Sequence, residues 1–450
     1  MTEDATFDRL KIQKGFVKLL RLLLLSLTAT LVFAQQVQQN ENSTQWSPVT
    51  LAGEFFEHDF VNWFLFANGV YDTYAPYARP NGQVVNNGSF GYEFGGGVNA
   101  THAFRDGQFS LSYRGDYRDY QSSVYSAGTD QNLGVAYSKR LSRQWSLSTS
   151  LGGGISYYGG PVTSNPTGSG PIVTTNPFAA ETKYLSLGAS LTYQQSRRLS
   201  YVASGSYFTQ RYNYAGAVGS MGTFVSGSVL YRTTARTTIG GTYAHSYFTF
   251  QRNVGQANGD TAELSVSHQF PDHWSASLSG GVTHSSISGI AVYPVNNVNI
   301  NGMLVNGYLI GPYQASTSFP SFSGSLSRGY RHSNVSVSAG QGLSAGNGYY
   351  LASKALYING VYSRSILQRQ NVGFSGGYYR LSSVSNTISS AYSSSSFTAS
   401  YSVNLIRYFG VNGRYDYIHY GSLSPNAGVN DNRLTFGINF SSKSIPLTLF

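Results

Sequence analysis

The chain has 450 residues, of which 15 % are aromatic and 11 % charged, with no cysteine and a formal net charge of +10. Soluble domains carry about 25 % charged residues, and a disordered chain would be poor in aromatics. The absence of cysteine excludes disulfides, thiolate metal sites and an N-terminal lipid-bearing cysteine.

Residues 1–34 read as an export signal. Lys11, Lys14, Lys18 and Arg21 lead into an apolar run from Leu22 to Phe33, and Val32-Phe33-Ala34 supplies the small-residue ending that a signal peptidase favours. The run is too short to span a bilayer as a helix, so cleavage is expected after Ala34. Residues 35–53 form a periplasmic linker, too short for a folded plug, and 54–450 form the remaining domain.

From about Val61 onward the pattern alternates with period two, and helical periodicity is nowhere sustained. Phe90, Tyr92, Phe94, Gly96, Val98 and Ala100 share one face, while Gly91, Glu93, Gly95, Gly97 and Asn99 share the other. The same alternation returns with Leu185, Leu187 and Leu191, with Leu264, Val266 and Phe270, with Leu278 and Val282, and with Phe397, Tyr401 and Leu405. Opposite each apolar row stands a row of Ser, Gly, Thr, Asn and Gln. A soluble sheet shows charge on its wet face. Here that face is small and nearly uncharged, while the greasy face is rich in aromatics. This pattern suits strands whose outer face meets lipid and whose inner face is wet. Without water in the bilayer core every backbone amide must be paired, and with helices excluded only a closed barrel achieves this.

Short links fall near 105–107, 142–143, 196–198, 234–236, 271–273, 331–332, 368–369 and 406–407. Long links are expected at 75–88, 121–130, 159–180, 213–221, 253–259, 289–316, 342–352, 386–391 and 421–430. The alternation gives an all-β, transmembrane, antiparallel up-and-down barrel of about 18 strands, with 16–20 open, and both termini on the short-turn side. Glycine runs such as Gly95–Gly97 fall in mid-strand, where they permit bending and leave slots for neighbouring rings.

Leu434-Thr435-Phe436-Gly437-Ile438-Asn439-Phe440 is the last strand, and the sequence closes on Phe450. With the export signal and the barrel pattern, this strand resembles those of Gram-negative outer-membrane β-barrel proteins of the porin-like class. The resemblance implies recognition by the barrel assembly machinery and contact with outer-membrane lipids. Pro446 interrupts the end, so Ser441–Phe450 is expected to be a tail.

Chemistry-bearing residues are sparse. His245, His268 and His284 fall on neighbouring strands at different expected heights, no Ser/His/Asp spacing suggests a triad, and neither an enzyme activity nor a cofactor is expected. Arg114-Gly115-Asp116 matches an adhesion tripeptide but sits inside a strand. Arg114, Asp116 and Arg118 face the lumen opposite Tyr113 and Tyr117, and Arg414 and Asp416 do so opposite Tyr415 and Tyr417. Their strands, the third and seventeenth, lie four apart in a closed barrel, roughly 19 Å around the wall. Two readings stand: a charged constriction near mid-height that sets ion preference, or paired charges that fill the lumen.

Thirteen of the basic residues cluster at the short turns, Arg143, Arg197, Arg198 and Arg236 among them. They suit either anionic head groups of the inner leaflet or a solvated rim; export and the lack of a continuous basic stripe exclude nucleic acid. The uncharged segment 289–316 holds an Asn301-Gly302 hairpin signal, open to three readings: a gate in the mouth, an oligomer contact, or an outward extension of strands 11 and 12. The reading as a whole is a channel in the cell outer membrane for passive diffusion of small polar solutes. The alternative is a structural or adhesive barrel with an occluded lumen and partner-binding outer loops.

Overall fold

The computed structural model describes residues 60–446 except 74, 79–83, 86–87, 123–126, 158–180, 214–216, 301–302, 331, 347, 349–350, 367–368, 385–390, 422–428 and 443–444. The export signal, the linker and the expected loop 159–180 lie outside the described residues.

Among the described residues, eighteen long strands close into one antiparallel barrel. They are β1 (Phe60–Asp72), β2 (Ser89–Phe104), β3 (Gly107–Tyr120), β4 (Gly128–Arg140), β5 (Trp145–Ser156) and β6 (Thr182–Gln194). Next come β7 (Leu199–Tyr212), β8 (Ser220–Arg232), β9 (Thr237–Phe250), β10 (Gly255–Gln269), β11 (Trp274–Ile300) and β12 (Met303–Gly329). The last are β13 (Ser333–Gly346), β14 (Leu351–Ile366), β15 (Gln370–Ser383), β16 (Ala391–Asn404), β17 (Phe409–Gly421) and β18 (Val429–Ser441). Each strand pairs with its sequence neighbours, and β18 closes the ring on β1 through Phe64↔Ser441 to Asp72↔Arg433. Closure leaves no edge to the bilayer, which is the requirement for a sheet in hydrocarbon. The expected tail is partly strand: Ile445–Pro446 pairs with Phe60–Val61 of β1. A proline is tolerated there because the pairing is marginal and terminal.

All eight short links fall where the sequence places them. Three share one device. Ser142 Oγ accepts from the amides of Gln144 and Trp145 at 3.2 and 3.1 Å. Ser196 Oγ accepts from Arg198 and Leu199, and Thr234 Oγ1 from Arg236 and Thr237. A hydroxyl that binds amides two and three residues on folds the chain back within four residues. The long links differ more. The expected long link 253–259 is short: four residues join Phe250 to its partner Gly255 through a 3-10 turn at Gln251–Asn253, with Arg252 and Asn253 at positive φ (61° and 53°), so β10 starts at Gly255. Segment 289–316 is no loop: β11 and β12 run on as a paired hairpin to Ile300↔Met303, which is the outward extension of the three readings.

The outer wall carries the expected rows. Phe90, Tyr92 and Phe94 of β2, Leu264 of β10 and Phe436 of β18 are all more than half exposed, and they face hydrocarbon. Two aromatic girdles bound this band. Near the short turns, Trp145 stacks on Tyr193 at 4.6 Å, Trp63 meets Phe440 at 5.0 Å, and Arg328 lies over Trp274 and Tyr330. Near the long links, tyrosine hydroxyls donate to polar neighbours, as from Tyr92 to Asp119, Tyr243 to Asp260 and Tyr415 to Asn432. Amphipathic rings with a wet end mark membrane–water boundaries.

Candidate functional site: the constricted lumen

Across β8–β12 the inner wall is largely a hydroxyl surface. Between β11 and β12, Ser275–Ser327, Ser277–Ser325 and Ser279–Ser323 meet in successive rows at 2.7, 2.7 and 2.8 Å. Ser228–Thr242 and Thr261–Thr283 extend the pattern to neighbouring strands. Period-two alternation places these small groups opposite the lipid-facing row, and they make this side of the bore polar.

Nearer the long links the wall folds in upon itself. β12 pairs with β13 over eight residues only, ending at Phe322↔Gln341, while β13 goes on pairing with β14 up to Gly346↔Leu351. Above the split, the tops of β13, β14 and β15 leave the wall and lie inside it. Alternation proves this. Leu343 and Ala345 share the face of Val337, which is outward lower down; Ala352 shares the face of Ile358, and Val384 that of Phe374. Yet these outward-phase residues are buried against Phe208, Phe248, Phe250, Ala257 and Phe319, the inward-phase residues of β7, β9, β10 and β12. Two sheet layers thus enclose a dry core, as in a sandwich. The tip crosses as far as the β7–β8 link, where the amide of Val218 donates to the carbonyl of Gly348 at 2.9 Å. Glycine is needed there, because φ is +88° and a Cβ would meet the Tyr212 ring at 2.7 Å. The expectation of serine–glycine rows facing in and aromatics facing out therefore holds over much of the wall, fails on β1, where Phe64 and Phe66 turn inward onto Gly97 and Gly95, and fails at the tops of β7, β9, β10 and β12, where Phe208, Phe248, Phe250, Ala257 and Phe319 face in. The reason is that these strand ends rise above hydrocarbon, so their apolar face must find protein instead of lipid. The constriction is made by β13–β15 rather than by segment 289–316.

The inward-phase face of this flap carries a second cluster, in which Ala355, Tyr357, Leu381, Tyr392 and Tyr420 are buried together. Beside it, across the ring closure, lies a charged ladder. Arg114, Asp116, Arg118, Arg414 and Asp416 all point inward and are buried or nearly so. The two groups are joined through residues the sequence reading did not single out: Glu93 on β2, Asp72 on β1, and Asp431 and Arg433 on β18. In one row Asp416, Arg433 and Asp72 are consecutive cross-strand partners. Arg433 Nε donates to Asp72 Oδ2 at 2.8 Å, and Tyr120 Oη donates to the same oxygen at 3.0 Å. In the other row Asn68, Glu93 and Arg118 are partners, with Arg118–Glu93 at 3.4 Å and Arg114–Glu93 at 3.8 Å. Arg414 grips Asp416 through Nε and Nη2 at 2.6–2.8 Å, and Thr398 Oγ1 donates to Asp416 at 2.7 Å. Alternating signs across strands attract where like signs would repel, and in a low-dielectric wall an unpaired charge would be costly. The ladder runs from mid-strand, where Arg114, Arg414 and Asp416 stand, toward the long links, where Asp72 is the last residue of β1 and Arg118 the third from the end of β3.

Local packing holds the ladder in place. The guanidinium of Arg114 rests over the Phe66 ring, 4.7 Å from its centroid, and that ring lies on Gly95, where a Cβ would come within 2.7 Å of it. This gives the glycine run its structural role. The missed acids had a signal, since Glu93 stands in the polar row opposite Phe94, and Asp431 and Arg433 stand opposite Leu434. Single charges on scattered strands gave no spacing to link them; only register does.

The histidines fall differently from expectation. His245 and His284 occupy the same level, each the cross-strand partner of Asp260, and His268 lies lower, beside Thr237. His245 Nδ1 is 2.9 Å from Asp260, while His284 turns away to Ser316 and Ser318. All three face outward, and among the described residues no three metal-ligating groups converge. Arg114-Gly115-Asp116 lies within β3 with its charged side chains buried in the lumen, out of reach of a soluble partner.

No family model matches the chain, and no curated protein does either. Solved structures align over most of it. A BenF-like porin from Pseudomonas fluorescens Pf-5 is 13 % identical and covers 86 % of this chain and 99 % of its own, with TM-score 0.41. OccK9 (OpdG) of Pseudomonas aeruginosa is 12 % identical over 86 % of this chain and 100 % of its own, with TM-score 0.42. These likenesses concern architecture alone. By its own closure, strand pairing and outward apolar band, the chain is an 18-stranded β-barrel of the outer-membrane type.

Proposed function

We propose that the protein is a porin-like channel of the outer membrane, through which small polar solutes pass by passive diffusion without covalent chemistry. The observation that carries this reading is the inner wall: rows of paired hydroxyls lead up to one charged and aromatic constriction. A barrel of this size encloses more space than its own small inward side chains fill. Arg114, Asp116, Arg118, Arg414 and Asp416, with Glu93, Asp72, Asp431 and Arg433, set the ion preference at that level, and the β13–β15 flap sets the size limit. Residues 1–34 direct export and are removed. In a planar bilayer the purified mature chain should give stepwise conductance with a size cut-off for uncharged solutes.

A second reading, a structural or adhesive barrel with a closed lumen, draws on the depth of the ladder. Arg118 is 2 % and Glu93 4 % exposed, which shows how tightly the upper lumen is filled. Absence of conductance from correctly folded protein would establish that reading and remove the first.

A further inference from the structure

Charge is distributed unevenly between the two ends of the barrel. Six of the eight short turns carry arginine among their described residues. Arg105, Arg143, Arg236, Arg369 and Arg407 each occupy one, and Arg197 and Arg198 share another; all are exposed. Lys139, Arg140 and Arg232 stand at strand ends beside them and are exposed too. Against this collar the described short turns hold only two acids, Asp106 and Asp272. At the other end acids and bases are closely matched among the described residues, and those of the ladder pair with one another.

A solvated rim has no reason to be of one sign, since like charges in a ring repel. Two features point to lipid instead. Trp63, Trp145 and Trp274, the tryptophans among the described residues, all lie in the girdle directly beside these turns, at head-group depth. Arg407 of the collar leans on that girdle, 5.5 Å from the Tyr408 ring centroid, and Arg328 at the end of β12 does so 3.9 Å from that of Tyr330 while its Nε donates to the carbonyl of Asp272 at 3.2 Å. A guanidinium stacked on an interfacial ring through its face still points N–H groups outward, where a phosphate can accept them. We infer that the short-turn rim is a binding surface for anionic phospholipid head groups of the inner leaflet, with phosphatidylglycerol as the simplest ligand of that class. The bound phosphates neutralise the collar and hold the barrel at a fixed depth.

Trp145 lies among the turns bearing Arg143, Arg197, Arg198 and Arg236, and it reports on that arc. The mature chain carrying W46F, W63F and W274F is folded into phosphatidylcholine vesicles, and dibrominated phosphatidylglycerol or dibrominated phosphatidylcholine is titrated in. Phosphatidylglycerol is expected to quench Trp145 at several-fold lower mole fraction, about fivefold for each arginine engaged. The substitutions R143Q, R197Q, R198Q and R236Q, which keep the Ser142, Ser196 and Thr234 turn bonds, should bring the two lipids together. Their folding is checked by far-ultraviolet circular dichroism against the unsubstituted barrel. Equal quenching by both lipids in the unsubstituted collar would overturn the inference. So would a preference that survives the four substitutions, or one abolished by inorganic phosphate but not by chloride of equal ionic strength, which would indicate a site for soluble anions. A shift of channel reversal potential in the quadruple variant with lipid preference intact would also overturn it, assigning the collar to solute entry.

Discussion

Arg433 illustrates how one side chain ties the ring together. It stands on the last strand, pairs with Asp72 of the first at 2.8 Å, and lies next to Asp416 of the strand before it. Replacing Asp72 by alanine removes the acceptor of both Arg433 and Tyr120 and leaves the Arg433 cation its longer ion pair with Asp431 at 3.9 Å. A buried charge left wholly unpaired costs about 3–5 kcal/mol, and with Asp431 retained the loss falls below that range, so D72A should lower the urea midpoint of the folded barrel, whereas D72N should recover part of it. Selectivity should follow the net sign of the ladder. Substituting Arg114 and Arg414 by serine leaves Glu93, Asp116 and Asp416 with fewer cations. The reversal potential in a salt gradient is expected to move toward cation preference, and an unmoved value would reduce these arginines to filling. Inward orientation of all five ladder residues first identified was legible, because each alternates with a tyrosine or other apolar neighbour. Their partners were not, since pairing Asp72 with Arg433 requires knowing that residues 361 positions apart meet at the closure.

At the scale of elements, turns were easier to read than strand tops. Short turns announce themselves through Ser-Arg or Thr-Ala-Arg strings whose hydroxyl binds the returning amides. The tight turn at Arg252-Asn253 was missed because its positive φ values fall on residues without glycine, while Gly255 and Gly259 nearby imitate a loop. The β13–β15 flap was hidden for a deeper reason. Leu343 and Ala345 keep the same alternation as Val337 beneath them, and nothing local states that their neighbour changes from lipid to protein. The packing is testable. Leu343 reaches to the wall at Gly259, where a Cβ would come within 2.5 Å of its Cδ2. L343D buries a charge in the dry core and should loosen the flap, raising single-channel conductance and the solute size limit. Removing 295–308, the far part of the β11–β12 hairpin, should leave both unchanged. Equal effects of the two changes would return the gate to the hairpin. Gly222→Val offers a milder probe, since its Cβ would lie 2.5 Å from both the Phe208 and Phe248 rings, and it should shift the same conductance through strain in the core layer.

For the whole molecule, the proportions of the sequence already specify a barrel: few charges, abundant tyrosine and small polar inward rows. Strand number followed from the alternation of link lengths, even though two links were misjudged in length, because a link counts once whether it is long or tight. What composition cannot give is the form of the lumen, which depends on where the wall stops being a single layer. If diffusion is the function, permeability is governed at one height, where the flap, the tyrosine cluster and the ladder converge, and the hydroxyl bore beneath offers little resistance.

Hydrogen-bonded staves of a cask share load in proportion to their joints, and here one joint is short. Among the described residues β12 and β13 are zipped through eight residue pairs, fewer than any other pair of neighbours in the ring. Amides from Phe322 to Gly329 and from Asn334 to Gln341 should therefore lose hydrogen-exchange protection earliest when denaturant is raised. The split that lets the wall turn inward is then also the line along which the cylinder first comes apart.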